Sequence, residues 1–318
     1  MREWVKATLE EESRMRTWTL PLTIAAVAVG LAAGVTGSAV AAPAPCKADE
    51  TDVARCATAT ASSQNTSTSQ TAAKAIDGVA GGYPGDHTTE WATVGGRAGS
   101  SLTLRWSAPQ QLGSVVLNDR PNEDDQITRA SLVFSDGSTV IVPELPNTGD
   151  PIELEFTPRT VTSVRLVVRE VSESTYNVGL SEVGARAEDP IAALLGVPRT
   201  FTDDESVLSV RPSAVSSVAE GEGTRLIRVD LELGVLAGDV ETGASDFVML
   251  GTDGTRYAPT TGPEDDPAQD LLDQALGEGD AVEGAVYFEV PADARGLLIA
   301  YVPDGEGAEL ATWSLSAP

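Results

Sequence analysis

The sequence predicts an all-β protein built of two consecutive sandwiches. Three observations predict it. Short segments alternate apolar and polar residues with period two, as in Leu102, Leu104, Trp106 and in Ile152, Leu154, Phe156. Asp-Gly turn signals join such segments at Asp136-Gly137 and Asp253-Gly254. The charge balance breaks near the middle of the chain. Residues 55–186 carry 10 basic and 15 acidic side chains, whereas residues 187–318 carry 6 and 26.

The 318 residues suffice for two domains of ordinary size. Lys and Arg number 21 against 48 Asp and Glu, a net charge of −27. A nucleic-acid backbone would be repelled, and no basic stripe offers it a path. Apolar content of 41% separates this acidity from that of a disordered chain. His87 is the single histidine and Cys46 and Cys56 are the two cysteines, too few for a histidine-rich zinc site or an iron–sulfur cluster.

At the N-terminus, Arg14 and Arg16 precede an apolar run from Leu20 to about Val40 that ends in Ala39-Val40-Ala41. A basic flank, an apolar stretch and an A-x-A site read as a secretory signal spanning 1–41. The run is long enough for an uncleaved membrane anchor to be the alternative. Either way the remainder is placed outside the cytoplasm, secreted or on the outer face of the membrane. There Cys46 and Cys56 read as a disulfide tying down an arm over 42–56.

The first sandwich is expected over 57–187. Leu132–Phe134 and Val140–Val142 form a hairpin around Ser135–Ser138, and Val164, Leu166 and Val168 alternate with Arg165, Val167 and Arg169. A linker is expected over 188–199, with Ile191–Val197 as a short helical turn. The second sandwich is expected over 200–318. Its strands are drawn from Leu226–Leu236, Phe247–Leu250 with Arg256-Tyr257, Ala285–Val290, Leu297–Val302 and Thr312–Leu315. Seven or so strands in about 120 residues suit an immunoglobulin-like arrangement. Asp270–Leu276 reads as one short helix.

Ala72-Ala73-Lys74-Ala75-Ile76-Asp77-Gly78, then Thr89-Glu90-Trp91, then Leu180-Ser181-Glu182-Val183 resemble the discoidin or coagulation-factor C-type family. These are jelly rolls of galactose-binding-like fold, and many are family 32 carbohydrate-binding modules. Four further segments match a bacterial and fungal branch: Asp119–Gln126 (DRPN-x-x-DQ), Phe134–Ser138 (FSDGS), Leu145–Gly149 (LPN-x-G) and Val171–Glu182 (VS-x-ST-x-N-x-GL-x-E). That branch is often appended to secreted enzymes acting on sugars, and no such enzyme lies in this chain. The sequence departs from the common module in a longer loop from Asp77 to Thr89. Asp246-Phe247 to Tyr257 and Ala285–Pro291 resemble a telokin-like secreted immunoglobulin-fold group of Gram-positive bacteria, which implies a fold and no enzymatic role.

The first resemblance implies a structural Ca²⁺, held by the side chains of Asp77 and Glu182, carbonyls of Lys74 and Val79, and an oxygen of Thr89. Six to eight hard oxygens are what calcium takes. The alternative is that Asp77 caps its own turn and Glu182 is solvated. It also implies a glycan site in the loops, where Tyr83, His87, Glu90, Asp119, Arg120, Asn122, Asp125, Gln126, Tyr176 and Asn177 all fall. Arg120, Asn122 and Asp125 would bracket hydroxyls and Tyr83 or Tyr176 would stack on a sugar face. The alternative makes Asp119-Arg120-Pro121 an internal ion pair bracing a loop, with Asn177 satisfying backbone groups. Trp91 reads as core.

No set of catalytic roles can be assembled around His87 or the many carboxylates, so no enzyme is expected. The run Glu264-Asp265-Asp266 with Asp270 lacks an EF-hand pattern and reads as a solvated face. The functional expectation is non-catalytic binding of a glycan or envelope polysaccharide, with the acidic second domain free to contact a protein. The alternative is an envelope structural or protein-interaction module with no sugar ligand.

Overall fold

The computed structural model describes residues 51–187, 192–264, 266, 270–271, 273–303 and 309–315. The export segment, Cys46 and Asp265 lie outside them. Among the described residues the chain is strand and loop with short 3₁₀ turns, and no helix is long and apolar enough to cross a membrane.

The first half contributes β1 (Thr58–Ala61), β2 (Trp91–Ala92), β3 (Ser101–Asn118), β4 (Ile127–Phe134), β5 (Thr139–Val142), β6 (Pro151–Val171), β7 (Gly179–Leu180) and β8 (Glu182–Arg186). Two strands organise it. β3 and β6 pair antiparallel along their length, with register shifts between Arg105 and Gln110 and between Leu112 and Ser114. A bulge adds residues to one side of a ladder and bends it. Each long strand therefore serves both layers of a jelly roll. Leu102–Arg105 of β3 lie between β1 and the later part of β6, which β4 and β5 extend. Ser114–Asn118 lie between β8 and the start of β6. Leu102, Leu104, Trp106, Leu117, Phe156 and Leu166 fill the space between the layers. The alternation that predicts these strands is the alternation of buried and open positions along them.

The second half contributes β9 (Ala193–Leu194), β10 (Arg199–Thr202), β11 (Ser206–Glu220), β12 (Thr224–Gly238), β13 (Val240–Thr242), β14 (Phe247–Leu250), β15 (Arg256–Tyr257), β16 (Gln274–Leu276), β17 (Ala281–Pro291), β18 (Leu298–Tyr301) and β19 (Ala311–Ser314). One layer runs β10-β11-β12-β17, the other β15-β14-β18-β19-β9. Leu208, Val229, Leu231 and Phe288 from the first layer meet Phe247, Ile299 and Trp313 from the second. Phe201 stacks at 4.6 Å between ring centroids on Tyr301 and meets Trp313 edge-on at 6.4 Å.

Two local expectations are corrected. Asp270–Leu276 is not helical where it is described. Gln274–Leu276 is strand β16 paired with β13, and Asp270 bridges Ala285, because sheet partners override a weak helical tendency in seven residues. Nor is the described part of Ile191–Val197 a helical turn. Ala193–Leu194 adds to β19 as a parallel edge strand.

The stretch read as a linker ends inside a sheet. Thr200 and Phe201 of β10 pair in parallel with Leu154 and Glu155 of β6, so one sheet continues from the first half into the second. Other contacts fasten the same junction. Ile141 N–H donates to Asp203 O at 2.8 Å and the Thr202 hydroxyl to Ile141 O at 2.6 Å. Half-buried Arg199 pairs with buried Glu155, and Arg129 pairs with Glu278 at 2.5 Å. Val207 and Ala237 belong to the first core. β10 also covers an edge of β6 that would otherwise expose unpaired backbone groups.

This junction makes the described chain one cooperative body. Calorimetry should give a single transition with calorimetric and van't Hoff enthalpies in agreement. Glu155→Ala, which strands the Arg199 charge, should cost about 3–5 kcal/mol. Two separate transitions would contradict the shared sheet.

Candidate functional site

Four loops of the jelly roll meet at one end: 77–90, 93–100, 119–126 and 172–178. Arg120 follows directly on β3 and is buried. Its Nε donates to Glu90 Oε1 at 2.8 Å, and one terminal nitrogen donates to Asp125 Oδ2 at 3.0 Å and to Asn177 O at 3.2 Å. Glu90, fully buried, also accepts from Gln70 Nε2 at 2.6 Å and from the Tyr83 backbone N–H at 2.9 Å. Asp125 accepts from Asn122 Nδ2 at 2.8 Å and from the backbone N–H groups of Tyr176 and Asn177 at 2.6 and 3.1 Å. The two carboxylates are thus saturated, and one guanidinium joins them. A buried charge survives only when paired and hydrogen-bonded in this way.

Asp119 braces the same corner from the other side. It accepts from the Arg120 and Ile127 backbone N–H groups at 2.8 and 2.9 Å, and burial pushes its carboxyl up to about 7. Gln126 spends its amide on Glu144 and the Leu145 carbonyl, and Asn177 Oδ1 accepts from Gly95 N–H at 2.7 Å. Two glycines are required for close approach. A Cβ on Gly179 would collide with Trp91 O and the Arg120 stem, and one on Gly82 with the Glu90 carboxylate.

Glu90, Asp119, Arg120, Asn122 and Asp125 therefore do not line an open hollow. They are buried in one another, and Nε and one terminal nitrogen of the Arg120 guanidinium are already spent on two carboxylates and a carbonyl. What faces solvent is different. Tyr83 is 50% exposed and Tyr176 is 73% exposed, and the backbone of each is held by one of the two carboxylates that Arg120 joins. His87, four residues from Tyr83 in the same loop, is exposed, and Asn177, next to Tyr176 in sequence, is half-buried. Trp91 is core, its indole N–H donating to Ser63 O at 2.9 Å.

Residues 52–185 match a family model described as a domain of unknown function, DUF7402. Similar solved structures include CpGH89CBM32-5 from Clostridium perfringens, in complex with GalNAc-β-1,3-galactose. It is 21% identical over 41% of this chain and 95% of that one, with a TM-score of 0.34. A fucose binding module of Streptococcus pneumoniae is 15% identical over 44% of this chain and all of that one, with a TM-score of 0.37. The secreted protein MPT63 of Mycobacterium tuberculosis is 21% identical over 40% of this chain and 99% of that one, with a TM-score of 0.34. No curated protein matches the chain.

The residues expected to hold calcium do not fit it. Lys74 Nζ lies 3.1 Å from Asp77 Oδ2, where the cation would sit. Val79 presents its N–H to Asp77 Oδ1 at 3.1 Å, and Gly78 its N–H to Glu182 Oε1 at 3.1 Å. The Thr89 hydroxyl turns to Asp86 O at 2.7 Å. Calcium needs six to eight oxygens, whereas the two carboxylates here are met by an ammonium and backbone N–H groups, and no group of three or more acidic, histidine or cysteine side chains placed to hold a metal occurs among the described residues. Glu182 Oε2 is buried without a hydrogen-bond partner, and burial pushes the Glu182 carboxyl up to about 7.

Sequence reading overlooked Gln70, which lies outside the matched motifs yet completes the Glu90 shell. It also overlooked Arg97, whose guanidinium donates to the carbonyls of Ser172, Glu173 and Thr175 and so props the Tyr176 loop. Neither carries a local signal, because each acts on backbone oxygens or a carboxylate distant in sequence.

Two expectations follow. Calcium or a chelator should leave the melting temperature unchanged. Asp119 and Glu182 have folded values above their unfolded ones, so the fold holds protons that the unfolded chain releases between about pH 4 and 7. That contribution is fully present below the unfolded values and is lost as pH rises through about 7. Urea midpoints should be higher at pH 5 than at pH 8, and Glu182→Gln should remove part of the difference, on the order of 1 kcal/mol after solvent screening.

Proposed function

We propose that the protein is an exported, non-catalytic carbohydrate-binding protein that holds its glycan at the loop end of the jelly roll. The supporting observation is the pair of solvent-facing tyrosines, Tyr83 and Tyr176, whose backbones are anchored to one buried Arg120 network. Sugars present C–H faces to aromatic rings, and loops whose backbone is held in advance lose little entropy on binding. In this reading the rings stack on the glycan and His87 and Asn177 meet its hydroxyls. Glu90, Asp119, Arg120, Asn122, Asp125 and Gln126 act one layer below, as the frame. The acidic second half, with 26 acidic against 6 basic residues, adds a surface complementary to a basic protein.

Charge narrows the glycan class. Asp86, Glu123, Asp124 and Glu173 are exposed on the same loops, while Arg97 and Arg120 each already hold internal partners. A neutral glycan is favoured over one bearing uronate or sialate.

A glycan array spanning neutral and acidic sugars tests this. Tyr83→Ala and Tyr176→Ala should each weaken binding roughly tenfold, about 1.4 kcal/mol, with the fold intact. Arg120→Ala should instead destabilise the whole protein, because it strands two buried carboxylates. Saturable binding of an envelope protein, with no glycan retained and no effect of the tyrosine variants, would favour the protein-interaction alternative.

A further inference from the structure

The second half contains six arginines and no lysine. Four of them pair with carboxylates: Arg199 with Glu155, Arg211 with Glu232, Arg228 with Asp230 and Asp266, and Arg256 with Glu309. The other two, Arg225 and Arg295, make no ion pair among the described residues, although acids outnumber bases fourfold in this half. Glu220 stands opposite Arg225 in the β11–β12 register, Asp293 is two residues from Arg295, and the Glu289 carboxylate on β17 accepts the Thr224 hydroxyl at 2.8 Å. None of these three acids bridges to either guanidinium.

Arg225 and Arg295 come together. A terminal nitrogen of each donates to the same carbonyl, Ala294 O, at 2.8 Å. Arg295 adds a bond to Ala292 O at 3.3 Å. Two like charges converge on one oxygen, and most of their N–H groups remain for other partners. Arg225 Nε is shielded from water and has no hydrogen-bond partner. Two cations held on one carbonyl repel each other in the protein alone, and an anion between them relieves that repulsion.

The two guanidiniums line a cavity of about 280 Å³. Ser217 contributes to its wall, and Val215, Ile227 and Leu297 give it an apolar part. A site that is cationic on one side and apolar on the other matches a molecule with both characters. Arginine suits a carboxylate or phosphate because its planar fork meets two oxygens at once. The volume lies at the small end for ligand pockets, roughly 300 Å³ and above, which limits the tail to a short chain.

We propose that this cavity binds a small amphiphilic anion, its carboxylate or phosphate head between Arg225 and Arg295 and its short hydrocarbon chain over Val215, Ile227 and Leu297. The site is on the second sandwich and is separate from the tyrosine-bearing loops. It also explains why two cations stand side by side with no ion pair among the described residues.

Titration calorimetry on the whole protein tests it with octanoate and octyl phosphate, which share the tail and differ in the source of the head. Acetate and inorganic phosphate supply the heads alone, and octanol supplies the tail alone. One or both octyl anions should bind saturably, at least tenfold more tightly than their heads or the alcohol, and more weakly as salt rises. Arg295→Gln, at an exposed position, should weaken binding at least tenfold without altering the melting curve. Arg225→Lys should retain part of the affinity that Arg225→Gln loses. Arg211→Gln should leave octyl-anion binding unchanged. The proposal is overturned if no octyl anion binds, if octanol or a bare head binds equally well, or if Arg295→Gln binds as the parent does.

Discussion

A guanidinium buried between two carboxylates sets the geometry of the loop end. Arg120 arrives on the end of β3, whose position the core fixes through Leu117 and its partners on β6 and β8. Glu90 and Asp125 come from loops separated from each other by 35 positions in the sequence, and Asn177 from a third. Without Arg120, the carboxylates of Glu90 and Asp125 would lie buried and uncompensated, a penalty of several kcal/mol per ion. With it, each carboxylate has oxygens left to gather backbone N–H groups, and those groups belong to the loops that carry Tyr83 and Tyr176. Order thus passes outward from a strand to an ion, to two acids, and then to two exposed rings.

The same logic separates frame from surface. Conspicuous polar residues in a loop motif suggest ligand contact, since solvation would be their default in a mobile loop. In this protein the carboxylates of Asp119 and Asp125, the amide of Asn122 and two of the three Arg120 nitrogens are bonded within the protein. The groups left to solvent are those with fewest internal bonds. A side chain that satisfies the fold and a side chain that meets a partner compete for the same donors, so the tightest network and the contact surface occupy adjacent layers.

The all-β class, the alternation on β3 and β6, and the hairpins at Asp136-Gly137 and Asp253-Gly254 were legible because period two and turn chemistry are local. Asp270–Leu276 was misread for the same reason. Over seven residues a helical stripe and a β edge look alike, and only pairing with Val240–Thr242 decides. The role of Arg120 was visible as one of two options, and burial, which is a property of four loops together, chose between them. The β6–β10 junction had no signature at all. A charge step marks a change of composition, yet a strand of four residues crosses it to complete a neighbour's edge.

Charge gives the two halves different physical problems. In the first half a net of −5 leaves enough arginines to place one inside and others along the strands, and burial of ions is arranged pair by pair. In the second half 26 acids face 6 arginines, so any cation is drawn strongly to a nearby carboxylate. Arg228, held between Asp230 and Asp266, is what that environment produces by default. Arg225 and Arg295 escape it through position. Ala294 O holds both guanidiniums at the end of the sandwich, where neither Glu220 nor Asp293 closes on them. Self-repulsion between acids opposes compaction, and pairing each arginine with an acid is the cheapest relief. Two arginines held together and apart from those acids forgo that relief. In the proposed reading a bound anion supplies the missing negative charge.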